Sequence, residues 1–168
     1  MAFIATSKIN VDAWGKLRND GWDWESLKPY FQKAHTLTLP SGTVQTELGL
    51  EYVNDTASGS SGPIQASFPD AIEDLVARAW IETFQSLGYR MTKDPFSGDG
   101  FGGYTNAATI DPVTKTRSYA TNAYYEPVGE RPNLQVITGA LVEKILLETA
   151  GPADHRATGV KYQKDGYH

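Results

Sequence analysis

Six consecutive residues, Gly98-Asp99-Gly100-Phe101-Gly102-Gly103, match the G-x-G-x-x-G spacing with which backbone N–H groups cradle a pyrophosphate. That chemistry needs a strand running into the first glycine and a helix leaving the last, so that the helix dipole meets the anion. Here Asp94-Pro95-Phe96-Ser97 leads in and a strand-like Tyr104-Thr105-Asn106-Ala107-Ala108 follows, with Asp99 placing a negative charge beside any phosphate. The segment is read instead as a flexible glycine turn. His35, His155 and His168 are too far apart in sequence to suggest a metal site, and each is placed on the surface. Asp70, Glu73 and Asp74 bunch together, but at a helix start they favour the dipole rather than forming an acid–base pair. No G-x-S-x-G elbow and no H-E-x-x-H pair occurs. The absence of cysteine removes disulfides, thiolate catalysis and Cys-based metal sites. Taken residue by residue, the sequence offers no catalytic set and no metal ligand set. Asn54-Asp55-Thr56 is an N-glycosylation triplet, meaningful for a chain that meets the secretory pathway.

The elements that must position these residues follow from caps and periodicity. Val11 to Leu17 predicts a short helix with Asn10 as N-cap. A second helix is expected over Leu27 to Ala34, capped by Asp23 or Ser26, because Pro29 suits only a first turn. Trp14, Trp22, Trp24, Tyr30 and Phe31 read as core where this pair of helices meets the rest of the fold. Residues 36–62 read as irregular, and Gly62 to Ser67 as a short strand. The clearest helix runs from Ala71 to Leu87, opened by Asp70 and Glu73 and closed by Gly88. Its apolar stripe is Ile72, Leu75, Val76, Ala79, Phe84 and Leu87. Tyr104 to Ile110 is a strand candidate, followed by a turn at Asp111 to Thr114. Ser118 is read as capping a helix that stops before Pro127. Leu134 to Ile137, Leu141 to Leu147 and Thr158 to Gln163 then make a three-stranded antiparallel meander.

The composition bounds the partners. Fifteen Lys and Arg against 20 Asp and Glu give a formal charge of −5, which argues against a nucleic-acid partner. No run approaches the roughly 18 apolar residues of a membrane span, so no membrane partner is expected. Met1 to Ala5 is apolar, but Lys8 and Asn10 end the run short of a signal peptide. At 168 residues with 40% apolar content the chain is long enough to bury a core unaided.

The ordered landmarks carry more than any one motif. Asp12-Ala13-Trp14, Gly21-Trp22-Asp23-Trp24, Leu27-Lys28-Pro29-Tyr30-Phe31 and Gly62-Pro63-Ile64 come first. Gly88, Gly100-Phe101-Gly102, Arg117-Ser118, Ala123-Tyr124-Tyr125-Glu126-Pro127 and Arg131-Pro132-Asn133-Leu134-Gln135-Val136 follow. Thr138-Gly139-Ala140-Leu141-Val142 and Arg156-Ala157-Thr158-Gly159-Val160 close the series. Colinear in this order, they resemble the central part of the glucose–methanol–choline (GMC) flavin oxidoreductases, most nearly fungal members of the glucose oxidase and aryl-alcohol oxidase type.

The resemblance implies an α+β fold in which residues 1–116 form a substrate-binding portion, an antiparallel sheet backed by helices, with a flavin-adjacent start. Residues 117–168 would be a partial segment of the FAD-binding domain, a helix plus a β-meander. It implies FAD as cofactor of the full-length protein, a small-molecule alcohol as substrate, and oxidation at a CH–OH group. Val142 matches a family valine whose backbone contacts the adenine of FAD, and Met1, Ala2 and Phe3 align next to residues bordering the flavin ring. Arg117 and Ser118 match a recurrent Arg-x-Ser pattern or its close variants, for which a structural role, positioning the helix toward Pro127, is expected. The family's amino-terminal G-x-G-x-x-G unit and carboxyl-terminal catalytic His have no counterpart here. The chain is therefore expected to be a fragment that is inactive alone and partnered by the remaining flavin-domain segments of its own full-length chain. Full-length relatives are often secreted. Two other readings stand beside this one: a standalone or cofactor-free domain binding an apolar molecule through Trp80, Phe84 or Tyr104, and a decayed product without function.

Overall fold

The computed structural model describes residues 1–54, 56–70, 76–89, 93–151 and 154–164. Its contacts divide the chain into two units, Met1–Pro127 and Val128–His168.

In the first unit, α1 (Lys8–Lys16) starts after Ser7, so Asn10 lies inside the helix rather than capping it. Arg18 turns left-handed at φ 67°, and Asn19 Nδ2 donates to the Trp14 carbonyl at 3.0 Å, closing the helix end. α2 (Trp24–Lys33) is capped by the Asp23 carboxylate, which accepts from Ser26 N at 2.9 Å. Trp24 N donates in turn to Asp12 Oδ1 at 2.9 Å, tying the first turn of α2 to α1. With its start fixed there, α2 begins at Trp24 rather than Leu27. Pro29 therefore sits in the second turn, on an exposed stretch of the helix. Trp24 is buried and stacks on Phe31 with ring centroids 5.9 Å apart. Trp14, Trp22 and Tyr30, expected in the core, are exposed, because only one side of this helix pair meets other chain.

The stretch 36–62 is more regular than its sequence implies. It holds most of β1 (His35–Thr38) and all of α3 (Gly42–Glu47). β1 pairs in parallel with β2 (Ile64–Ser67), in register from His35 opposite Ile64 to Thr38 opposite Ser67. Four residues stabilised by a strand far along the chain leave no local signature, and six-residue helices are too short for periodicity. Ser67 also exchanges two 2.9 Å backbone hydrogen bonds with Ala108, which bridges Ala2 on its other side. A mixed layer results, with Met1–Phe3, residues 107–109, β2 and β1 side by side. The expected antiparallel sheet is thus replaced by a parallel pair with antiparallel bridges, and the expected strand over Tyr104 to Ile110 is reduced to those bridges.

The core beside this layer is Val44, Leu48, Leu50, Phe68 and Ala107, flanked by Phe3, Leu37, Leu39, Tyr52 and Val53. Each fully buried large side chain stabilises by roughly 1.5–3 kcal/mol. α4 (Val76–Ser86) turns Ala77 and Ile81 inward and presses Phe84 on Gly103, where a Cβ would meet the ring at 2.7 Å. Val76 and Leu87 of the expected stripe are exposed, since the glycines at 49 and 103 let the Ile81–Phe84 face approach more closely. The residues Ala71 to Leu75 at the expected start lie outside the described residues. Gly88 takes φ 88°, and Tyr89 N reaches back to the Phe84 carbonyl at 2.8 Å, the left-handed stop that the sequence predicts. Asp111 Oδ1 accepts from Val113 N and Thr114 N, both at 2.8 Å, forming the predicted turn. Ser118 caps nothing. Buried, its Oγ accepts from Gln65 N at 2.8 Å, and the short helical turn Thr121–Tyr125 starts after it.

The second unit is a hairpin of β3 (Ala140–Thr149) and β4 (His155–Lys164), entered through Gly139 at φ 66°. The register runs from Ala140 opposite Lys164 to Thr149 opposite His155, with irregularities at Val142/Lys144 and Leu146/Leu147. Among the described residues, two strands stand here where three are expected. Leu134 to Ile137 takes no strand pairing, because an apolar run becomes a strand only where another edge accepts its hydrogen bonds.

Candidate functional site

Met1, Ala2 and Phe3 form an edge against residues 107–109. Phe3 N donates to the Ala107 carbonyl at 2.7 Å, and Thr109 N donates to the Met1 carbonyl at 3.1 Å. Phe3 is half-buried against the core, while Met1 and Ala2 are exposed. The Phe3 ring lies 4.8 Å from the His35 ring and 5.5 Å from Phe96, and His35 lies 5.4 Å from Phe96.

His35 is the centre of that triangle, and it is not a surface residue: only 5% of it is exposed. Nδ1 lies 2.9 Å from the Phe31 carbonyl and Nε2 accepts from Gly59 N at 3.0 Å. The first contact needs a proton on Nδ1 and the second a lone pair on Nε2, so the ring is neutral. Burial, opposed only in part by the Phe31 carbonyl, holds the imidazole below its ordinary pKa. With both nitrogens occupied, His35 is a packing residue rather than a proton acceptor for substrate. The part-buried Tyr52 phenol is held similarly. It donates to the Thr105 carbonyl at 2.7 Å, and burial followed by the Asp94 charge raises its pKa well above the usual range.

An open cleft of about 580 Å³ lies between the first turns of α1 and the glycine-rich loop. Lys8, Asp12, Lys16, Lys93 and Asp99 supply its charge, with Ile9 and Phe101 its apolar lining. Lys8 Nζ lies 3.2 Å from Glu25 and 3.6 Å from Asp12, and Lys93 Nζ lies 2.6 Å from Asp99. The hydrogen bond from Lys93 keeps the Asp99 carboxyl below the usual carboxylate range. Gly98 has φ 92°, and a Cβ there would sit 2.9 Å from the Trp24 indole, so the glycine is required by close packing and conformation. The sequence marks this loop through its glycines, but not the lysines from two segments, α1 and residue 93, that gather at it.

Val142 lies in the second unit, opposite Tyr162 on β3 and 54% exposed. The structure therefore describes the four expected cofactor-binding residues in two places, Met1–Phe3 in the first unit and Val142 in the second. Among the described residues, no group of three or more His, Asp or Glu is arranged to hold a metal ion.

The fit to FAD can be tested on the glycine loop. A 3₁₀ turn, Pro95–Ser97, precedes it rather than a strand, and residues 104–107 after it form no helix. Asp99 is already paired with Lys93. These residues do not form a pyrophosphate cradle.

The GMC oxidoreductase family model matches residues 1–168. The chain belongs to the GMC oxidoreductase family. It is 33% identical over 162 residues to the GMC oxidoreductase family protein Mala s 12 of Malassezia sympodialis, covering 95% of this chain and 26% of that protein. It is 31% identical over 160 residues to a glucose oxidase of Aspergillus carbonarius, covering 92% of this chain and 26% of that enzyme. Among solved structures, an FAD-dependent oxidoreductase from Chaetomium thermophilum superposes with a TM-score of 0.84 at 33% identity, over 98% of this chain and 27% of that one. The chain thus spans about a quarter of the length of these GMC relatives. FAD is the cofactor of the family, and the mixed helix-and-strand architecture with small sheets is consistent with its fold.

Proposed function

We propose that this chain is the central portion of an FAD-dependent GMC oxidoreductase acting on the CH–OH group of a small alcohol or sugar. Residues 1–116 border the substrate and the flavin ring, and residues 117–168 belong to the flavin domain. In this reading Val142 meets the adenine of FAD through its backbone, and Met1, Ala2 and Phe3 lie beside the ring. FAD, when bound, supplies the redox chemistry. This chain's own part is positional. The hydrogen bonds from residues 107–109 fix the Met1–Phe3 edge, and the His35–Phe96 pair holds Phe3 in place.

The observation that carries the reading is the match of the family model to the whole chain, residues 1–168, at about 26% of the relatives' length. His35 supports it from the chemical side. Both of its nitrogens are engaged, so His35 is not the proton acceptor for the alcohol. The test is to compare the purified chain with a chimera in which it replaces the matching quarter of the Aspergillus carbonarius glucose oxidase. The chimera is expected to retain yellow flavin absorbance through gel filtration, while the chain alone retains none and oxidises no alcohol. Alcohol turnover by the chain alone would overturn the proposal. Binding of an apolar ligand by the chain without flavin would favour a cofactor-free domain instead.

A further inference from the structure

The structure carries a modification site that the oxidoreductase reading does not use. We infer that Asn54 is presented as an acceptor for an N-linked glycan. Asn54-Asp55-Thr56 is the one N-x-S/T triplet in the sequence, and the folded chain places its Asn and its Thr as that chemistry needs them. Asn54 and Thr56 are both exposed. Asn54 Oδ1 accepts from Thr56 N at 3.0 Å and from Thr56 Oγ1 at 2.9 Å. A carboxamide is planar, with oxygen and nitrogen on opposite sides of Cγ. Pinning Oδ1 into the turn therefore directs Nδ2 away from it, and Nδ2 has no hydrogen-bond partner among the described residues.

The surroundings hold the turn in place without covering the acceptor. Ala57 N donates to the Asn54 carbonyl at 2.9 Å. Asn54 N donates to the buried Asp94 carboxylate at 2.8 Å, and Gln32 Nε2 reaches the Thr56 carbonyl at 2.9 Å and the Ala57 carbonyl at 3.2 Å. None of these contacts uses the Asn54 side chain, so a glycan on Nδ2 displaces none of them. Neither Asn54 nor Thr56 is in the buried core, so the sugar meets water rather than packed side chains. Surface loops are where such acceptors occur.

The reaction needs a lipid diphosphate-linked oligosaccharide as donor. Nδ2 forms a bond to C1 of the first sugar, the C1–O bond to the diphosphate breaks, the lipid diphosphate leaves, and one amide proton passes to the transferase. No atom changes oxidation state overall.

The experiment incubates the purified, folded chain with a detergent-solubilised oligosaccharyltransferase and its lipid-linked donor, and reads intact mass. One glycan is expected on the wild type. It should be released by peptide-N-glycanase with conversion of residue 54 to aspartate. Asn54→Gln and Thr56→Ala should each abolish the modification, and Thr56→Ser, which keeps the hydroxyl, should retain it. Circular dichroism on each variant separates loss of the acceptor from loss of the fold. No glycan on the wild type, glycan only on the urea-unfolded chain, or a glycan surviving in Asn54→Gln would each overturn the inference.

Discussion

Gly62→Ala tests whether the close approach around His35 holds the first unit together. The backbone at Gly62 packs against the junction of α2 and β1 with no room for a side chain. A Cβ there would lie 2.6 Å from His35 Cα and closer still to His35 N and Ala34 C. Those are backbone atoms at the start of a paired strand, so they cannot swing aside as a side-chain tip would. Relief requires moving residues 59–64 away from the junction. That motion strains Gly62 N to the His35 carbonyl at 3.0 Å, Thr36 Oγ1 to the Gly62 carbonyl at 2.7 Å and Ile64 N to the Ala34 carbonyl at 3.3 Å. Losing two of the three costs about 2 kcal/mol at roughly 1 kcal/mol each. Overpacking adds about 1–3 kcal/mol, and the stiffer unfolded chain returns about 0.4–1 kcal/mol. The net is about 3 kcal/mol, or roughly 6–12 °C in Tm for a chain of this size. Gly42→Ala is the control. It opens α3, nothing lies within 4 Å of the added Cβ, and its backbone is not left-handed. There, alanine should be neutral or stabilise by up to about 1 kcal/mol. Urea unfolding followed by tryptophan fluorescence reads both variants. Equal midpoints for the two would refute the steric argument, because a general glycine effect would not distinguish them.

His35 should make the chain acid-sensitive. Burial lowers its folded-state pKa below the unfolded value of about 6.5, so unfolding takes up a proton once the pH drops below that value. Its contribution is complete above the unfolded pKa and is lost progressively as pH falls towards the folded one. A His35→Gln variant should be less stable at pH 7.5 but should lose less stability than wild type between pH 7.5 and 5, read by urea midpoints. An unchanged pH slope would count against the buried neutral ring. Asp94 is 2% exposed and accepts from Asn54 N and Phe96 N, both at 2.8 Å. Asp94→Ala should therefore destabilise by about 3 kcal/mol, since hydrogen bonds to a charged group are worth about 1.5–3 kcal/mol each. A loss below 1 kcal/mol in the same urea assay would show that water replaces the carboxylate. In the hairpin, Val142 faces Tyr162 and Ile145 faces Val160, with all four exposed. Apolar strands with open edges promote self-association. Ile145→Lys should raise the concentration at which light scattering first detects oligomers, and no change would place the sticky surface elsewhere.

How much of this was legible in the sequence depended on how local the cause was. The Asp23 cap, the left-handed Gly88, the Asp111 turn and the strands β2, β3 and β4 each arise from a few neighbouring residues, so their chemistry stands in the sequence to be read. The colinear series from Asp12 to Val160 identified the GMC family, because order along the chain survives without knowledge of contacts. The candidate site was less legible. Met1–Phe3 could be named from the resemblance, but their pairing with residues 107–109 could not. The glycine loop could be denied a phosphate role, but not joined to Lys8, Lys16 and Lys93. His35 shows the reason most clearly. A lone histidine at a helix end has nothing around it in sequence to mark it as buried. Its surroundings, Gly59, Gly62, Phe3 and Phe96, come from three separate stretches, and their approach depends on missing side chains at the two glycines. β1, Pro29 in the second turn of α2 and the inward turn of Ile81 share that origin. Local sequence decides which conformations are inexpensive, whereas burial and strand pairing are decided by whichever distant segment arrives, and only folding brings those together.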